Sequence, residues 1–193
     1  HQGSLLMKRE RGILLIEVLV SMLIASIALL GTVMMMARST RNEMESYQRV
    51  QALTLVQDMV SRINANRQVA ACYSNGVTGL VTGAGSAAPP ACVTGTPTPT
   101  ALQAATANAD LAAWRNSLLG AGEASGGNQV GAMIGAVGCV EQIDAVNNVY
   151  RVTVVWQGLM PTAAPGLACG QNRFGDDSLR RAVSVQVRIA SLS

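Results

Sequence analysis

The sequence predicts an α+β protein, a long N-terminal α-helix whose first half spans a membrane and whose second half packs on a small antiparallel β-sheet head. Three observations predict it. Residues 18–37 carry no charge, about the twenty residues a helix needs to cross a hydrocarbon core of about 30 Å. Residues 38–67 then contain neither proline nor glycine. Between residues 136 and 190, three segments alternate apolar and polar side chains, the period-two pattern of strands with one covered face.

The chain opens with a short basic stretch, Lys8, Arg9 and Arg11, immediately before the apolar run. Flanking cations stay on the cytoplasmic side, so the remainder is expected to face outward. Met7 offers a natural start of translation, which leaves the origin of residues 1–6 open. Ala25-Ser26-Ile27-Ala28 imitates a secretory cleavage site, but the apolar run continues beyond it to Met36. A simple signal anchor would explain everything except Gly12 and Glu17. An acid inside a bilayer costs several kcal/mol, on the order of 2–4, unless it is paired or lies near the interface.

The helix is expected to run without interruption over 13–66, about 80 Å at 1.5 Å per residue. Gly31 is its one soft point. Leu53, Val56, Val60 and Ile63, with Met44, Tyr47 and Met59 nearby, mark an apolar stripe, while Arg41, Glu45, Arg49, Asp58 and Arg62 take other faces. Residues 73–108 are poor in charge and rich in Gly, Ala, Thr and Pro, and read as a surface excursion. A short helix is expected over 110–119, capped by Asn108 or Asp110, ended by Gly120, with Leu111, Trp114 and Leu118 on one core-facing side. Residues 120–131 form a second glycine-rich loop that lacks the Lys-Ser/Thr ending of a phosphate loop.

Strands follow at 136–143, 149–157 and 181–190, the first two joined by the turn Asp144-Ala145-Val146-Asn147-Asn148. In the second, Tyr150, Val152, Val154 and Trp156 share one face, with Arg151, Thr153 and Gln157 on the other. The amphipathic half of the long helix is the natural cover of the sheet. The loop over 158–180, with Cys169, is expected to be pinned back by Cys139.

The four cysteines are Cys72, Cys92, Cys139 and Cys169. A domain outside the cytoplasm forms disulfides by default, and four cysteines allow three pairings. The pairs Cys72–Cys92 and Cys139–Cys169 are favoured, each closing a loop of about 20–30 residues for ~3 kcal/mol. Zinc is disfavoured, because there is no Cys-x-x-Cys spacing and the one histidine is His1. No catalytic constellation emerges, so an enzyme is not expected: the chain has one histidine and one lysine, Lys8, both ahead of the apolar run. Asp176-Asp177 reads as an isolated acidic turn rather than a calcium site. No cofactor is expected. The formal net charge is +3; without Lys8, Arg9, Arg11 and Glu10 it would be about +1, so the basic balance argues poorly for nucleic acid.

The stretch Gly12-Ile13-Leu14-Leu15-Ile16-Glu17-Val18-Leu19-Val20 resembles the class III signal of type IV pilins and type II secretion pseudopilins. The departure is Ile13, where that family usually has phenylalanine. The resemblance implies cleavage between Gly12 and Ile13 by a prepilin peptidase/N-methyltransferase, N-methylation at Ile13, and a role for Glu17 in pairing with a new N-terminal amine, which would set subunit register. It divides the chain into a cleaved leader (1–12), a transmembrane and filament-core helix half (13–37), an amphipathic helix half (38–71) and a disulfide-bonded head (72–193). With Gly138-Cys139-Val140-Glu141-Gln142-Ile143 and Tyr150-Arg151-Val152-Thr153-Val154-Val155-Trp156-Gln157-Gly158, the chain looks most like minor pilins of the PilV, pilus-modification kind. Such a resemblance implies priming of pilus assembly, a place in a tip complex, twitching motility and adhesion. Implied partners are other minor pilins, the major pilin, the inner-membrane assembly platform, a large tip adhesin and, before assembly, the bacterial inner membrane, with the C-terminal domain in the periplasm. A type II secretion minor pseudopilin and a membrane-anchored extracytoplasmic binding domain are the alternative readings.

Overall fold

The computed structural model describes residues 6–93, 98–120, 124–125, 128–129 and 133–190. Its first element, α1 (Leu6–Ala65), is one uninterrupted helix of 60 residues. It begins earlier than the expected Ile13 because the basic residues before Gly12 are good helix formers. At its end the Asn66 N–H donates to the Arg62 carbonyl, and a 3-10 turn follows at Arg67–Cys72. Residues 1–5 of the expected leader lie outside the described residues. The chain divides into two compact units, His1–Met44 and Glu45–Ser193.

The second unit carries the sheet. Strands β1 (Leu80–Gly83), β4 (Ile134–Asp144), β5 (Val149–Gln157) and β6 (Arg180–Arg188) pair antiparallel in the order β1-β4-β5-β6. Two short strands, β2 (Ala124–Ser125) and β3 (Asn128–Gln129), pair separately within the second glycine-rich loop. Helix α2 (Ala101–Leu118) precedes them.

The core forms where α1, α2 and the sheet meet. From α1 come Ala52, Val56, Met59 and Ile63, and from α2 Ala107, Leu111, Trp114 and Leu118, both sets at spacings of three and four. From the sheet come Val140, Tyr150, Val152, Val154 and Trp156. Trp114 is core, as its spacing predicts, and its indole N–H donates to the Leu55 carbonyl at 2.9 Å. Trp156 donates to the buried Gln48 Oε1 at 3.1 Å. The α1 stripe is rotated from the expected one. Gln48 and Ala52 face the core, while Met44, Tyr47 and Leu53 are exposed. The small Ala52 admits close packing, and the Gln48 amide serves the Trp156 N–H, which would otherwise be an unpaired buried donor.

Three departures from the sequence reading have physical causes. Helix α2 starts at Ala101, nine residues before the expected helix, because Thr100 and Gln103 make a reciprocal capping box. Part of the expected excursion, residues 80–83, pairs as edge strand β1 with β4. Thirdly, the sheet is covered on both faces rather than one. Val137, Cys139, Val155 and Cys169 form a second small core with Phe174 and Ala182 packed on it. Thr153, expected outside, is buried there and its hydroxyl meets Ser184 Oγ at 3.1 Å.

The β4–β5 connection is closed by its own side chains. Asp144 accepts from the backbone N–H groups of Val146 and Asn147 and from the Asn147 amide, and Asn148 takes a left-handed conformation. This leaves Val146 91% exposed at the tip.

Candidate functional site: the apolar segment and the anchored head

Two features have functional potential, one in each unit. The first is the apolar part of α1. Described side chains begin at Leu15, so Gly12 and Ile13 are placed only as helix backbone. From Leu15 to Met36 every large apolar side chain is exposed. The segment has a mean hydropathy of 2.4 over its best window and is long and apolar enough to cross a membrane. A surface of this extent does not persist in water, since contiguous apolar patches beyond a few hundred Å² mark interaction sites.

Its hydroxyls are already satisfied. Ser21 donates to the Glu17 carbonyl, Ser26 to Met22, Thr32 to Leu29 and Thr40 to Met36, all between 2.7 and 3.0 Å. The hydroxyls therefore add no unpaired donor to the apolar surface. A Cβ at Gly31 would meet nothing within 4 Å, so no contact within the chain requires glycine there. Glu17 is the one charged residue between 15 and 37. It is exposed on the helix surface, available to a partner from outside the chain.

The second feature is the loop between β5 and β6, held against the sheet by covalent and ionic ties. Both expected disulfides are present, Cys72–Cys92 and Cys139–Cys169, with Cα separations of 5.0 and 6.1 Å. Cys139 sits in β4 and Cys169 in the loop, so the bond fixes the loop on the second face of the sheet. Arg180, 1% exposed, completes the anchor. Its Nε and Nη2 donate to the two oxygens of Asp177 at 2.7 and 2.8 Å. Nη1 donates to the carbonyls of Leu167 and Cys169, and Nη2 also to Pro165. All five guanidinium N–H groups have acceptors, which makes burial of this charge tolerable.

Arg181 ties the same loop to α1. It donates to Thr162 Oγ1, to the carbonyls of Met160 and Ser178, and to Glu45 Oε1. The acidic turn is occupied by these contacts: Asp176 accepts from the Ser178 N–H, and Asp177 takes Arg180. The hydrogen bond from Arg180 holds the Asp177 carboxyl below the usual carboxylate range. No metal-holding cluster of three His, Cys, Asp or Glu residues occurs among the described residues.

A third polar cluster joins the helices. Tyr73 donates to Asp110 Oδ2 at 2.6 Å, and Arg62 spans Asp110 and Asp58. Burial, then the hydrogen bond to Asp110, raises the Tyr73 pKa well above its ordinary value. Sequence reasoning did not single out Gln48, Tyr73, Arg180 or Arg181. A strand that opens with two adjacent arginines, Arg180-Arg181, was the available signal: one must point to each face, and both faces proved to be covered.

Comparison with known proteins agrees with this geometry. The family model described as "Type IV pilin Tt1218" (Tt1218-like) matches residues 35–114, about two fifths of the chain. That region holds the second half of α1, the Cys72–Cys92 disulfide and most of α2. It excludes the Gly12–Glu17 stretch, so the two resemblances are carried by different residues. No curated protein and no solved structure matches the chain. The exposed apolar helix and the disulfide-bonded α+β head thus stand beside a partial similarity to a type IV pilin family over residues 35–114.

Proposed function

We propose that this chain is a minor pilin of the PilV, pilus-modification kind that primes type IV pilus assembly and is built into the pilus, in a tip complex supporting twitching motility and adhesion. The observation that carries the reading is the unburied apolar surface from Leu15 to Met36, interrupted only by Glu17. Lipid covers that surface first, in a bacterial inner membrane with the head in the periplasm. Equivalent helices of other minor pilins and of the major pilin cover it afterwards, so it is never left in water. Transfer between the two is driven by the assembly platform, and a large tip adhesin associates with the finished complex.

In this reading a prepilin peptidase cuts between Gly12 and Ile13, and Ile13 is N-methylated. The new amine lies one helical turn from Glu17, and on this subunit or a neighbour it neutralises the carboxylate. The attraction between two unit charges grows as the dielectric falls, so the pair sets register most strongly once the helices leave the headgroups.

The test is a pair of substitutions in the native strain. Gly12→Ala is expected to leave the precursor uncut, seen as a heavier band and the absence of an N-methyl-Ile13 terminus by mass spectrometry. Glu17→Ala is expected to be processed and folded but to leave few or no pili. Normal piliation in Glu17→Ala would overturn the pairing role. Intact pili with lost enzyme secretion in a deletion strain would assign the chain to a type II secretion pseudopilus instead.

A further inference from the structure

We propose that the free edge of β6 pairs with β6 of a second copy of this chain, antiparallel about a two-fold axis at Val185; the pairing requires nothing of the functional reading above. Among the described residues no strand lies beyond β6, the last in the order β1-β4-β5-β6. It pairs with β5 in unbroken register, from Val149 with Arg188 to Gln157 with Arg180. Just past the two ends, the Ile189 N–H donates to the Asn148 carbonyl at 2.9 Å and the Gly158 N–H to the Leu179 carbonyl at 2.7 Å. Main-chain groups alternate in direction along an antiparallel strand, so the odd-numbered residues of β6 bond to β5. The N–H and C=O groups of Ala182, Ser184, Gln186 and Arg188 point away from it. Ser184, Gln186 and Arg188 are exposed.

This edge carries none of the devices that keep sheet edges apart. Native edges are blunted by charges, prolines or bulges. Residues 182–187 hold no charged residue, proline or glycine, and no bulge interrupts β6 against β5. An uncharged run rich in valine is instead the composition of strands that pair with their own kind. The opposite edge of the sheet is short, since β1 spans only Leu80–Gly83. A two-fold contact through β6 therefore consumes the long edge of both copies and closes at a dimer.

The side chains favour a second copy as the occupant and fix the register. With Val185 on the axis, Ser184 stands opposite Gln186 of the second copy, and Ala182 opposite its Arg188. Hydroxyl then faces amide, and no like charges meet. All four outward residues enter facing pairs of the hydrogen-bonded kind, two bonds to a pair, about eight bonds in all. Centring the pair on Ser184 would set Arg188 against Arg180 of the second copy. Centring it on Gln186 would set Ala182 against Ala190, beyond the end of β6.

The experiment uses the full chain in detergent micelles, which cover the apolar helix. Wild type is expected to show a monomer–dimer equilibrium by sedimentation. Gln186→Pro removes an outward N–H and no bond to β5, a position where an edge strand accepts proline. It is expected to weaken the dimer about tenfold or more, with near-ultraviolet circular dichroism and both disulfides unchanged. Cysteines read the register: Ser184→Cys mixed with Gln186→Cys is expected to give several-fold more disulfide-linked dimer than either variant oxidised alone. Contacts made only by the apolar helices would give equal yields. Should Gln186→Pro lose its circular dichroism, the cysteine yields decide. In the native strain, photo-crosslinking benzoylphenylalanine at position 186 is expected to yield an adduct of two copies of this chain. Equal cysteine yields, a wild type that is monomeric throughout a dilution series, a dimer unchanged by a folded Gln186→Pro, or adducts to a different protein only would overturn the pairing.

Discussion

Arg180 shows how a single residue holds a loop that has no secondary structure of its own. Its five donors reach one carboxylate and three carbonyls. Arg180→Met keeps the volume and removes every donor. It is expected to cost about 3 kcal/mol, since the buried carbonyls and Asp177 lose their partner together, and to lower Tm by roughly 5–10 °C at this chain length. Arg180→Lys is expected to recover little, because an ammonium cannot reproduce the planar fork. Titration belongs to the same scale. Hydrogen bonds depress the carboxyls of Asp144, Asp176 and Asp177. Their contribution to stability is full above the ordinary aspartate pKa, about 3.9, and is lost as pH falls through the lower folded values. Tyr73 works in the opposite direction. Its folded pKa is raised, so its contribution is full below about pH 10 and declines as pH rises beyond that. Thermal melts across pH should therefore fall at both extremes, and Tyr73→Phe should soften the alkaline limb.

At the scale of elements, the second face of β5 depends on the Cys139–Cys169 bond. Replacing both cysteines by serine is expected to cost about 3 kcal/mol and to expose residues 158–179 to protease well before the sheet unfolds, a difference that limited digestion and urea melts would resolve. The three longer strands were legible because alternation along Tyr150, Val152, Val154 and Trp156 needs only a covered face. The second core was not, since Val155 and Val137 are buried by a loop whose glycines and prolines carry no period. Strand β1 escaped for the same reason: four residues flanked by glycine leave too short a pattern. The first half of α2 hid in an Ala-, Thr- and Asn-rich stretch, although Thr100 and Gln103 at the capping-box spacing were there to be read. In the apolar segment, Glu17 stands out in sequence, while Gly12 and Ile13 draw their meaning from a resemblance and not from a contact.

The whole molecule combines two solvents in one chain. The core of the second unit closes on itself without any residue before Gln48, whereas the apolar run closes on nothing. A chain starting at Glu45 is therefore expected to stay in solution, with Trp114 and Trp156 giving near-ultraviolet circular dichroism, while the full chain sediments with membranes. A Glu45 chain that precipitates, or that lacks this signal, would show that the head needs the preceding helix to fold. The region matched by the type IV pilin family model, residues 35–114, straddles the boundary between the two units.

The self-contained β4–β5 turn has a practical consequence. Asp144 makes its bonds within the turn, and Val146 projects from it. A short epitope spliced at Val146 would lengthen a loop that loop-closure entropy penalises only weakly, leaving the ladder from Val149 onward to pair as before. The tip thus offers a permissive handle for gold-labelled antibodies, and through them a direct look at whether the chain enters a fibre, as proposed above.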